Sequence, residues 1–173
     1  PTSVFVVLDC FIVTGETVMG KYAFEVIKTL NQVIRETEGS KITNKNKLPD
    51  GVSKTADAIS HAVCQIAEDL KIKVIMTMTH SGSTARMISS YRPQSSVYAL
   101  TPFSKIVRQL QLVWGVQPMK VDNYDNVDNI PKLCNKILKQ IEAIDPDEQF
   151  VITGGVPMGI AGTTNYLSIQ IYN

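Results

Sequence analysis

From residue 54 onward, short runs of apolar and β-branched residues alternate with longer stretches in which apolar residues recur every three or four positions. That alternation restricts the possible folds more than any other feature of the chain. It predicts helices over 54–70, 83–91, 103–114 and 129–144, and strands over 73–78, 96–100, 116–121, 149–153 and 166–172. In the first helix Ala56, Ile59, Val63, Ile66, Ala67 and Leu70 share one face, with Ser53 placed to cap its free amides. In the last, Leu133, Cys134, Ile137, Leu138 and Ile141 do the same. Strands separated by helices imply an α/β three-layer sandwich around a mostly parallel five-stranded sheet. The final two strands have no helix between them, so the last is expected to run antiparallel at or near an edge.

The first third of the chain reads differently. Val4 to Leu8 and Cys10 to Thr14 are apolar runs, the second ending at Gly15 and read as a buried strand. Phe24, Val26, Ile27, Leu30, Val33 and Ile34 then recur at helical spacing over 22–38, with Gly39 in the place of a C-terminal cap. The stretch 39–52 holds three lysines, small polar residues and the turn signal Pro49-Asp50-Gly51, and reads as a linker to a domain over 53–173.

Composition matters mainly for what it disfavours. Apolar residues make up 44% and charged residues 19% of the 173, so the chain has the means to form a core. A formal net charge of +1 gives no whole-chain reason to expect a nucleic-acid or membrane partner. Cys10, Cys64 and Cys134 lie far apart, which disfavours a disulfide framework or a zinc site. No apolar run approaches the roughly 20 residues that span a bilayer, and the first residues lack a signal-peptide pattern, so a cytoplasmic protein is expected. The start at Pro1 is read as truncated.

Two segments fall where ligands of open α/β sheets gather, at the carboxyl ends of strands. Thr79, His80, Ser81, Gly82, Ser83 and Thr84 join a strand to a helix. A phosphate dianion needs free first-turn amides, hydroxyl donors and a glycine that permits close approach, and this loop supplies all three. His80, if protonated, adds charge there. The same residues also suit a simple helix cap. The second segment, 154–165, carries four glycines between the last two strands and can form an anion-binding concavity or a flexible hairpin. A third, Gly15 to Lys21, matches G-x-x-x-x-G-K, but Tyr22 stands where a nucleotide-binding loop needs serine or threonine. His61 reads as a surface residue, and Phe103 and Trp114 as core.

Three segments together resemble the pyruvate kinase family. Thr14-Gly15-Glu16-Thr17 with Gly20-Lys21-Tyr22 resembles the segment at the last strand of its catalytic barrel. Thr79-x-Ser81-Gly82-x-Thr84-Ala85-Arg86, then Tyr91-Arg92-Pro93, resembles its effector loop and helix, and Gly155 to Asn165 its closing loop. The resemblance implies a remnant of a (β/α)8 barrel over 1–38 followed by an effector-binding domain. It also implies that the complete enzyme transfers a phosphoryl group from phosphoenolpyruvate to ADP with magnesium and potassium, as a homotetramer. The family's catalytic and metal-binding residues lie upstream of the segment matched by 14–22, so no catalytic residue, metal or cofactor is expected within this chain, and it is expected to be inactive alone. Its partners would be the catalytic barrel and a phosphorylated small-molecule effector. By the same resemblance the effector site comprises Thr79, Ser81, Gly82, Ser83 and Thr84, with Gly159, Gly162 and Thr163 covering the ligand, and His80 joins it on the charge argument above. Ser83 replaces a common arginine or lysine, and the acidic stretch 121–129 lacks the basic residues that grip a second phosphate. A monophosphate preference is therefore expected. The alternatives are a free-standing sugar-phosphate or nucleotide binding module and, third, a nucleotide hydrolase built on Lys21.

Overall fold

The computed structural model describes residues 9–39, 54–122, 124, 126–157 and 163–173. The apolar run at 4–8, the Ser53 cap, nearly all of the 39–52 linker and the site residues Gly159 and Gly162 lie outside the described residues. Contacts divide the chain into two units, 1–46 and 47–173.

In the first unit α1 (Gly15–Val18) is a single turn and α2 (Ala23–Gly39) is the predicted amphipathic helix. The Thr14 carbonyl accepts from the Thr17 and Val18 amides and from the Thr17 hydroxyl. The G-x-x-x-x-G-K segment thus begins as a helical turn. Residues 10–14, read above as a strand, form none. A β-ladder needs a neighbour to take its amides and carbonyls, and among the described residues every strand belongs to the second unit.

The second unit is the expected sandwich. Helix α3 (Lys54–Asp69) leads into β1 (Val74–Met78), α4 (Ser83–Ser90), β2 (Ser96–Thr101), α5 (Ser104–Leu110) and β3 (Val116–Lys120). A 3-10 turn, Val127–Asn129, enters α6 (Ile130–Ile141), followed by β4 (Gln149–Gly155) and β5 (Thr164–Ile171). The sheet order is β3-β2-β1-β4-β5, parallel except for the β4–β5 pair.

Side chains of β1 alternate between two cores, as the period of two requires. Val74, Met76 and Met78 pack with Ile130, Cys134, Ile137 and Leu138 of α6. Ile75 packs on the other face with Val63, Ala67, Ala85, Ile88 and Leu110, from α3, α4 and α5. All five β1 residues are buried, which explains the unbroken apolar run of a strand covered on both sides. Because β2 and β3 lie to one side of β1 and β4 to the other, chain direction switches between β1 and β4.

Phe103 and Trp114 depart from their expected core positions. Helix α5 starts one residue later than predicted and stops at Leu110, so both lie outside it. Phe103, just past the end of β2, is 49% exposed. Trp114 is half-buried in the turn before β3, with the Arg92 guanidinium 4.6 Å from its ring centre.

Candidate functional site

The loop after β1 is organised by Thr79. Its amide donates to the Leu100 carbonyl (3.0 Å), which ties the loop to the end of β2. Its buried hydroxyl accepts from the Gly82 amide (2.8 Å), which closes the turn. Gly82 precedes α4 with φ 81° and ψ 0°, a left-handed conformation in which a side chain is strained. Space is equally limited there: a Cβ would stand 2.6 Å from the Arg86 Nη1 and 3.1 Å from Leu110 Cδ2. The Ser81 hydroxyl donates to that of Ser83 (3.0 Å) and accepts weakly from the Ser83 amide (3.4 Å).

The first backbone bond of α4 runs from the Arg86 amide to the Gly82 carbonyl (3.1 Å). The amides of Thr84 and Ala85 therefore have no partner within the helix, and the Ser81 and Ser83 hydroxyls belong to the same turn. This collection of donors suits an oxyanion. No carboxylate opposes it from α4, whose first turn has no acidic residue.

Opposite the loop are the end of β4 and the start of β5. The Thr84 and Thr164 hydroxyls, both buried, are bonded at 2.7 Å. Gly154 at the end of β4 runs so close to β1 that a Cβ would lie 3.0 Å from Met78 Cβ. The base of the 154–165 segment is held by Asn165, whose side chain accepts from the Val156 amide (2.8 Å) and donates to its carbonyl (2.7 Å). The two segments singled out from sequence thus meet where the sheet changes direction, the place where open α/β folds bind ligands. Thr163, half-buried, lies at this start of β5.

His80 is turned toward aromatic residues. Its ring lies 5.6 Å from Phe103 and 5.3 Å from Tyr124, both edge-on. Tyr124 is buried, its hydroxyl donates to the Leu100 carbonyl (3.3 Å), and burial pushes its phenol up to about 12, opposed by the Thr79 amide. His61 is exposed, its ring tilted 43° to that of Tyr91 at 5.2 Å, and the Tyr91 hydroxyl donates to Asp57.

Thr164, Tyr124 and Arg86 were missed as site neighbours. Composition and periodicity hold no signal that joins Thr84 to a residue 80 positions away, although the family resemblance already sets Thr84 and Thr163 around one ligand. Arg86 was readable: a side chain at that position of a helix leans back toward the preceding turn. Among the described residues no group of three His, Cys, Asp or Glu side chains is placed to hold a metal ion. An open groove of about 290 Å³ lies at the opposite, amino ends of β2 and β3, beside Trp114 and Gln117.

The family model described as pyruvate kinase, alpha/beta domain matches residues 57–170. A pyruvate kinase of Clostridium acetobutylicum is 33% identical over 168 residues, covering 94% of this chain and 35% of the relative. One of Staphylococcus epidermidis is 34% identical over 170 residues, covering 94% and 28%. The crystal structure of a pyruvate kinase from Cryptosporidium parvum superposes with a TM-score of 0.78 over 95% of this chain and 33% of the other, at 23% identity, which supports the fold. The chain spans about a third of the length of the curated relatives it matches.

Proposed function

The chain belongs to the pyruvate kinase alpha/beta domain family, and from that premise we propose that it is the regulatory part of such an enzyme, binding a phosphorylated small-molecule effector at the loop 79–84. The observation that carries this reading is the bond between Thr84 and Thr164. It joins the donor-rich start of α4 to the glycine-rich segment across the switch point of the sheet. In the complete enzyme the reaction would be transfer of a phosphoryl group from phosphoenolpyruvate to ADP in a cytoplasmic homotetramer. By the family resemblance, magnesium and potassium would act there in the barrel. The chain alone would show no turnover in a coupled pyruvate assay.

The ligand would carry one phosphate. Past β3, Asp122 and Asp128 are exposed, and no basic side chain occurs between Val121 and Asn129. Calorimetry with glucose 6-phosphate, ribose 5-phosphate, AMP and fructose 1,6-bisphosphate tests this. A monophosphate should bind best and raise thermal stability by mass action; absence of binding by all four would remove the regulatory reading. Self-association would use the outer edge of β5, where Ile169 and Ile171 are exposed. A monomer by sedimentation at all concentrations would count against that part.

A further inference from the structure

We propose that Phe103, His80 and Tyr124 form a shelf on which a flat heteroaromatic ring stacks. The ligand of the site is accordingly a nucleoside monophosphate such as AMP, favoured over a sugar phosphate by its base. This rests on the effector site proposed above and names its ligand class. The argument starts from exposure. Phe103 follows β2 at the end of the sheet where ligands gather, is 49% exposed, and belongs to neither core among the described residues. A ring left half in water adds little to the stability of the fold. It is nevertheless held in place. The Phe103 ring meets that of His80 at 5.6 Å and 60°, and His80 meets Tyr124 at 5.3 Å and 66°. Tyr124 is buried, and its hydroxyl donates to the Leu100 carbonyl (3.3 Å), the same oxygen that takes the Thr79 amide (3.0 Å). The row of rings therefore runs from a buried anchor to a half-open end, and its middle member belongs to the loop 79–84.

Such a row suits a planar base. A half-exposed aromatic ring offers a π-face on which any base can stack, whereas a sugar phosphate has no flat ring to lay against it. The exposed Asp122 and Asp128, which oppose a second phosphate, cost an uncharged base nothing. His80 and Phe103 follow the neighbouring strands β1 and β2, about 4.8 Å apart. A phosphate at the loop and a base at Phe103 thus lie within the reach of one nucleotide.

AMP and ribose 5-phosphate share the phosphate and the ribose and differ by the adenine. Titrated calorimetrically into the full chain, AMP should bind about tenfold or more tightly. Phe103→Ala should remove that advantage and leave the affinity for ribose 5-phosphate unchanged, while Phe103→Tyr, which keeps the ring, should retain it. Equal affinity for the two ligands in the wild type, or a Phe103→Ala variant that still prefers AMP, would overturn the shelf while leaving the effector site standing. If the wild type binds none of the four phosphorylated ligands above, the site and the shelf fail together. Should Phe103→Ala lose its circular-dichroism signal, the adenine ring protons of AMP decide with the wild type: an upfield ring-current shift on titration supports the proposal, and unmoved resonances overturn it.

Discussion

Gly82 and the Thr84–Thr164 pair show how much of the candidate site depends on single side chains. Gly82→Ala adds a methyl group at φ 81° and 2.6 Å from the Arg86 guanidinium. It should cost about 1–2 kcal/mol of stability in urea unfolding, as left-handed backbone does for an L residue. The arginine end can swing away, but Leu110 at 3.1 Å belongs to the core and has less freedom. Thr84→Val leaves the buried Thr164 hydroxyl without its partner. The expected loss is about 1–3 kcal/mol, and the Thr84→Val/Thr164→Val double variant should recover much of it because neither orphan then remains. A double-mutant cycle measures the coupling directly; additive losses would show that the bond contributes nothing.

At the scale of elements, the sheet's amino end is fastened by a different interaction from its carboxyl end. Lys73 before β1 and Glu148 before β4 form an ion pair at 2.6 Å, and Glu148 also accepts from the Asp145 amide. The hydrogen bond from Lys73 holds the Glu148 carboxyl below its ordinary 4.5. The bond to Glu148 raises the Lys73 ammonium above its ordinary 10.5. The carboxylate's contribution is complete above pH 4.5 and lost as pH falls through its lowered folded value. The ammonium's is complete below 10.5 and lost as pH rises through its raised value. Glu148→Gln should therefore leave the strongly acidic end unchanged and lower stability slightly at neutral pH, flattening the acid limb of a stability–pH curve, and the effect should be small because both groups keep contact with solvent.

The same scale explains what could be read from sequence. Elements α3, α4, α6 and all five strands were legible because periodicity reports burial, and here two cores enforce it. The strand at 10–14 was misread because apolar content says nothing about a pairing partner. Helix α5 was drawn too long because the apolar pattern continues through Leu112, Val113 and Trp114, while the chain turns at a bond from the Val113 amide to the Leu110 carbonyl. Within the site, the donors of 79–84 are contiguous and hence visible. The contacts of His80 with Phe103 and Tyr124 come from three separate connections, which no local pattern links.

For the whole molecule, the described residues of both cores lie between Ile59 and Tyr172. Residues 54–173 are thus expected to fold without those before them, giving one sigmoidal urea transition. Graded, non-cooperative loss of signal would contradict this. Leu138→Ala, which empties a fully buried position on α6, should cost about 2–5 kcal/mol in that transition. In hydrogen exchange, the amides of central β1 should outlast those of β3 and β5, which have a strand on one side only.

The hydroxyl contact between Thr84 and Thr164 also has a consequence for biosynthesis. Its partners are 80 residues apart, and the later one opens the last strand. During translation β1 and α4 emerge first, yet the segment facing them is still inside the ribosome. A nascent chain arrested before residue 164 would display the hydroxyl-rich turn without the Thr164 hydroxyl, so the metabolite recognition proposed above would have to wait until β5 has emerged.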